Sequence, residues 1–270
     1  MTPRRSISNI AWPAKCDEDA IALVQRLGFE GVELAPSKVF GPLDAVVTAD
    51  LRAYRCHLAS RGLAIPALQA ILFGISDAHL FAGPAMRKTL ASHLGRVAEV
   101  AGELGAGACV FGSPGLRDPG MLGFEEAEAI AAEFFAELAP KFASHGTVLA
   151  FEANPPVYGC RFVTRTLEAI ELVERVETAG FGLQLDTGTV FTNGEDMDVT
   201  EQAARLCVHC HLSEEGLGPV DPARRDYEPA FRALERGGYR GWVSIEMRAQ
   251  SDWRRAIELA AQALLGETRK

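Results

Sequence analysis

The chain has 270 residues, 48% of them hydrophobic and 23% charged, which is enough to bury a full core. A formal net charge of −9 without clustered Lys and Arg argues against a nucleic-acid or anionic-membrane surface, so a small molecule is the expected partner. No apolar run reaches the roughly 18 residues of a membrane span, and the Arg4-Arg5 pair is not followed by the apolar stretch of an export signal, so a cytoplasmic protein is expected.

Short apolar or β-branched runs alternate with longer amphipathic stretches, the pattern of repeated strand-helix units. In chain order, strands are expected over 7–12, 31–34, 64–72, 108–112, 148–153, 182–186, 207–212 and 242–246. Helices are expected over 17–27, 50–61, 88–104, 124–143, 166–176, 227–236 and 251–265. Apolar positions within the helical stretches recur three and four residues apart, as in Leu90, Leu94, Val97 and Val100. Several of these stretches end at a glycine, among them Gly28, Gly105 and Gly237. No linker or composition break divides the chain, so 1–270 reads as one domain. Eight such units fit either a doubly wound sheet or a closed (β/α)8 barrel. The Gly-rich turn after the first strand that marks a dinucleotide site is missing, which favours the single TIM barrel.

In such a barrel, residues that end the strands face the mouth where chemistry occurs. Glu152, Asp186, His211 and Glu246 each end an apolar run, at intervals of 34, 25 and 35 residues. Three carboxylates and one imidazole brought together would repel one another unless a cation neutralised them, so one divalent ion is expected at these four residues. Oxygen-rich ligation with a single nitrogen makes Mn²⁺ the first expectation, with Mg²⁺, Co²⁺, Fe²⁺ or Zn²⁺ as alternatives.

These segments, with Ser6 to Trp12 and Gly31-Val-Glu-Leu34, resemble the xylose isomerase-like TIM barrel superfamily, and within it the sugar phosphate isomerase/epimerase group. That group includes ketose 3-epimerases, hydroxypyruvate isomerase, inosose dehydratase and endonuclease IV. The resemblance implies that Glu152, Asp186, His211 and Glu246 are the metal quartet, and that Glu152 and Glu246 also move the substrate proton. Two positions depart from the group. Thr189 stands where members commonly have a histidine, and the loop running to Leu217 lacks the arginine of the ketose epimerases.

The implied activity is isomerisation or epimerisation of a small sugar, sugar phosphate or polyol-derived keto compound through a metal-stabilised enediolate. A dehydratase on the same scaffold is one alternative, and a non-catalytic metal- or ligand-binding barrel is another. Substrate contacts are expected from Lys38, Gln69, Asn154, His209, Arg117 and Arg248. Each has a plainer reading: a solvated lysine, amides that satisfy backbone groups, a core histidine, surface arginines. A homodimer or homotetramer is compatible with a chain of this class. The six cysteines are scattered and expected to be free. Cys207-Val-His-Cys210-His211 matches a haem-attachment pattern, but one lying within an apolar strand is set aside.

Overall fold

The computed structural model describes residues 3–265; the outermost positions of the expected 1–270 domain lie outside the described residues. The apolar runs form β1 (Arg4–Ser8), β2 (Gly31–Glu33), β3 (Ala67–Leu68), β4 (Ala108–Phe111), β5 (Val148–Glu152), β6 (Phe181–Asp186), β7 (Cys207–Ser213) and β8 (Trp242–Glu246). They pair in parallel in the order β2-β1-β8-β7-β6-β5-β4-β3. Two isolated parallel bridges, Gly31 to Ala64 and Leu34 to Leu68, join the outer strands. There Val32 N donates to Ala64 O (2.9 Å) and Gln69 N to Leu34 O (2.8 Å), closing the sheet into a TIM barrel.

Around it run α1 (Asp17–Arg26), α2 (Pro36–Phe40), α3 (Thr48–Ser60), α4 (Pro84–Leu104), α5 (Phe124–Ser144), α6 (Thr166–Val176), α7 (Thr187–Asn193), α8 (Met197–Ala203), α9 (Glu228–Arg236) and α10 (Trp253–Leu265). Among the described residues no helix is long and apolar enough to cross a membrane.

Two strands and three helices differ most from the sequence expectation, the five-residue α2 being one that periodicity did not reveal. The first strand starts earlier and stops at Ser8, whose hydroxyl accepts from Ile10 N (3.3 Å) and turns the chain into a 3-10 helix over Asn9–Ala11. The third strand shrinks to Ala67–Leu68, because Pro66 has no N–H for the ladder and Ala70 adopts φ 50°. The segment between the sixth and seventh strands carries two short helices, α7 and α8, that periodicity did not reveal.

Side-chain alternation decides which residues face the mouth. Phe111, Phe151 and Phe181 pack outward against Phe135 of α5, with ring centroids 5.3, 5.3 and 4.7 Å from it. The opposite parity of the same strands therefore points inward: Ala108, Ala150 and Glu152, then Gly182, Gln184 and Asp186. Ala67, Ala108 and Ala150 form a small separate cluster with Val208, so the interior layer below the mouth is built from short side chains. The pairing of β6 and β7 slips between Leu183 and Gln184, which sets Gln184 beside His209 and Asp186 beside His211.

Non-glycine residues with positive φ include Ala70, Ser113, Val163 and Leu217 (φ 50°, 48°, 55° and 55°), and all four follow strand ends on the mouth side.

Candidate metal centre

Inward parity brings the ends of β5, β7 and β8 together. His211 Nδ1 lies 3.4 Å from Glu152 Oε1 and 3.2 Å from Glu246 Oε2. One ligand atom from each of Glu152, His211 and Glu246 falls within 4.8 Å of the others. His211 is fully buried, Glu152 nearly so, and Glu246 is slightly open to the mouth. Asn154 Nδ2 donates to Glu152 Oε2 (2.8 Å), whereas buried Glu152 Oε1 has no hydrogen-bond partner. An orphaned carboxylate oxygen beside an imidazole nitrogen and a second carboxylate is a donor set that fits a divalent ion.

The charge states follow from burial and these neighbours. Burial raises the Glu246 carboxyl above its ordinary value, and the charges of Glu152 and Glu33 add to that rise against the opposing pull of His211. Burial alone would lower His211, but the charges of Glu33 and Glu246 and the close approach of Glu152 and Glu246 oxygens to Nδ1 hold it well above the usual histidine range.

Asp186 stands beside this trio rather than in it. Its carboxylate is the N-cap of α7: Oδ1 accepts from Gly188 N and Oδ2 from Thr189 N (3.1 Å each), with Thr189 Oγ1 3.1 Å from Oδ2 and the Ser213 hydroxyl hydrogen-bonded to Oδ1. Burial first, then the charges of Glu152 and Glu246, push its carboxyl up to about 7. Of the four expected ligands, three therefore meet directly, and the fourth adjoins them with both oxygens engaged.

The expected substrate contacts divide. Arg117 is fully buried; it donates to Glu152 O (2.8 Å) and Asn154 Oδ1 (2.9 Å) and lies over the Phe151 ring. It thus braces the end of β5 from behind, through Asn154, while its Nε has no hydrogen-bond partner. Lys38 donates to the carbonyls of Asn9 and Trp12, and burial pushes its ammonium down to about 8. Gln69 donates to the Ser8 hydroxyl. Arg248 is exposed, and its backbone N donates to Leu217 O (2.9 Å). His209 is buried, with Nε2 3.4 Å from Glu33 Oε1. All six described cysteines are free.

Four contributors were not singled out from the sequence. Glu33 accepts from His211 Nε2 (2.9 Å). Gln184 is oriented to donate to the His209 carbonyl (2.9 Å) and accept from His211 N (3.2 Å), with its oxygen also 3.1 Å from His211 Nδ1. Ser213 holds Asp186. Gly112 leaves space for Glu152, since a Cβ there would meet Oε2 at 2.8 Å. Glu33 ends an apolar run just as Glu152 does, so the criterion that found Glu152 also applied to it; the other three carry no such signal.

The family profile described as xylose isomerase-like TIM barrel matches residues 21–265. No curated protein matches the chain by sequence. Among solved structures, D-psicose 3-epimerase with D-tagatose from Clostridium cellulolyticum H10 superposes with a TM-score of 0.79 at 16% identity, covering 97% of both chains. The 3-keto-D-glucoside 4-epimerase YcjR from E. coli gives 0.75 at 15% identity, covering 95% of this chain and 98% of that one. An IolI protein with a bound zinc atom gives 0.75 at 18% identity, with 97% of both chains covered. At these identities the likeness is one of fold.

Proposed function

Since the chain belongs to the xylose isomerase-like TIM barrel family, we propose that it is a divalent-metal-dependent isomerase or epimerase of a small sugar, sugar phosphate or polyol-derived keto compound, working in the cytoplasm as a single-barrel unit. The observation that carries this reading is the convergence of Glu152, His211 and Glu246 around an unpartnered carboxylate oxygen at the barrel mouth. The sugar epimerases among its structural neighbours support the substrate class.

Glu152, His211 and Glu246 would hold the ion, with Asp186 adjoining as the fourth ligand. When bound, a divalent ion supplies Lewis acidity that polarises a substrate carbonyl and its neighbouring hydroxyl. The remaining work falls to the chain's own carboxylates. Glu152 ends β5 and Glu246 ends β8, with β6 and β7 between them, so the two approach a ligand from different sides. Glu246, at the end of β8 and slightly open to the mouth, would take a proton from the carbon next to the carbonyl. Glu152 keeps one oxygen on Asn154 and has Oε1 free to exchange a proton on its own side. Return of the proton to the same carbon from the opposite side inverts that centre; return to the neighbouring carbon moves the carbonyl.

The test is turnover of a panel of ketoses and ketose phosphates in D2O with Mn²⁺ added. Deuterium at the reacting carbon of the product is expected, together with loss of exchange in Glu246→Gln by roughly 10²- to 10⁴-fold while circular dichroism is unchanged. Loss of water to give a keto product would transfer the same residues to dehydration, and full exchange by Glu246→Gln would remove that residue from the mechanism.

A further inference from the structure

Behind the proposed ligand trio lies a second buried group. Glu33, at the end of β2, is fully buried, and it sits on the far side of the His211 ring from Glu152 and Glu246. Its Oε1 meets His211 Nε2 at 2.9 Å and His209 Nε2 at 3.4 Å, while Oε2 has no partner. The His209 ring stands edge-on to His211, with centroids 5.4 Å apart and planes at 86°, and it walls in the carboxylate. An imidazole has two nitrogens, and the one that carries the proton decides which is left to bind an ion.

We infer that Glu33 is the positioning residue for His211: it accepts the Nε2 proton, keeps that proton away from the mouth, and leaves Nδ1, which faces Glu152 and Glu246, as the nitrogen whose proton an ion would displace. The inference rests on the proposed metal site and adds to it a residue that touches neither ion nor substrate. A carboxylate behind a ligating imidazole fixes its orientation and strengthens it as a donor. His209 confines Glu33 from the side, and Gln184 ties the backbone of both histidines to β6 while its oxygen accepts from His211 Nδ1 in the metal-free chain, so the ring is held at both nitrogens. Glu33, His209 and His211 could also chelate an ion of their own, as their ligand atoms lie within 4.8 Å of one another. The 2.9 Å separation of His211 Nε2 and Glu33 Oε1 is that of a hydrogen bond, and the nitrogen through which His211 coordinates separates the two arrangements.

Zn²⁺ is the probe, used on the full chain. Calorimetric titration should give one Zn²⁺ per chain in the wild type and one in Glu33→Gln, with the variant folded by circular dichroism and binding about 10- to 100-fold more weakly. Independently of any variant, nitrogen-15 spectra of the Zn²⁺-loaded wild type should show His211 protonated at Nε2 and coordinated through Nδ1; in Glu33→Gln the Nε2 proton should exchange faster with solvent. A folded Glu33→Gln that binds Zn²⁺ within twofold of wild type overturns the role of Glu33 and leaves the metal site standing. Coordination through Nε2, or a second Zn²⁺ lost only in the variant, makes Glu33 something other than a positioning residue. A wild type that takes up no Zn²⁺ removes both readings together.

Discussion

Gly112 shows how finely the site depends on single atoms. It follows β4, and its missing side chain is the space occupied by Glu152 Oε2. Gly112→Ala should displace that carboxylate from Asn154 and from the trio. A drop in kcat/KM of about 10- to 100-fold is expected with little change in melting temperature; an equally active variant would show that Glu152 has slack in its seat. A glycine after a strand reads in sequence as a turn, and only the neighbouring strand reveals what it makes room for. The four acidic or imidazole residues at strand ends were legible because strand parity and strand ends are sequence properties. What Arg117, Asn154 and Lys38 do was not, because each of these polar side chains has a partner 26 to 37 positions away.

At the scale of elements, the buried parallel strands announced themselves as short continuous apolar runs, since both faces are covered. The helices of ten residues or more did so by their period. α7 and α8 did not: seven residues each give fewer than two full periods, and α7 contains Gly188 and β-branched Thr and Val. What makes α7 helical is its cap. Asp186 supplies two hydrogen bonds to the first turn, and Thr189 Oγ1 ties that turn to both Asp186 and Ala153 O (3.0 Å). Thr189→Val keeps the shape and removes the hydroxyl, so urea unfolding should lose about 1 kcal/mol of stability at unchanged slope. An unaltered midpoint would mean that the backbone bonds alone hold α7.

The molecule as a whole carries a stack of ionisable groups down its axis, and their shifts set its response to pH. The folded Asp186 carboxyl, raised from 3.8 to about 7, binds a proton that the unfolded chain has released, so stability falls as pH rises between about 4 and 7. His211 is raised above its unfolded value of 6.5; its contribution is complete below 6.5 and is lost as pH climbs through the higher folded value. Glu33 is depressed below 4.5 because its two histidines outweigh burial, and its contribution is lost only as pH falls below that point. The metal-free chain should therefore melt at a lower temperature at pH 8 than at pH 6. Mn²⁺ binds the deprotonated ligands, so the rise in melting temperature it produces should be larger at pH 8. Equal rises at both pH values would argue against an ion seated among these groups.

Of the five left-handed non-glycine residues among those described, Ala70, Ser113, Val163 and Leu217 belong to loops leaving strand ends, and Glu177 caps α6 before β6. Conformational tension thus falls mainly on one rim, while the sheet is closed by backbone bonds of Val32 and Leu34 to Ala64 and Gln69. Such a division lets loop tips be rewritten without renegotiating the staves. Chains that share this scaffold can drift to 15–18% identity and still superpose at TM-scores of 0.75 to 0.79.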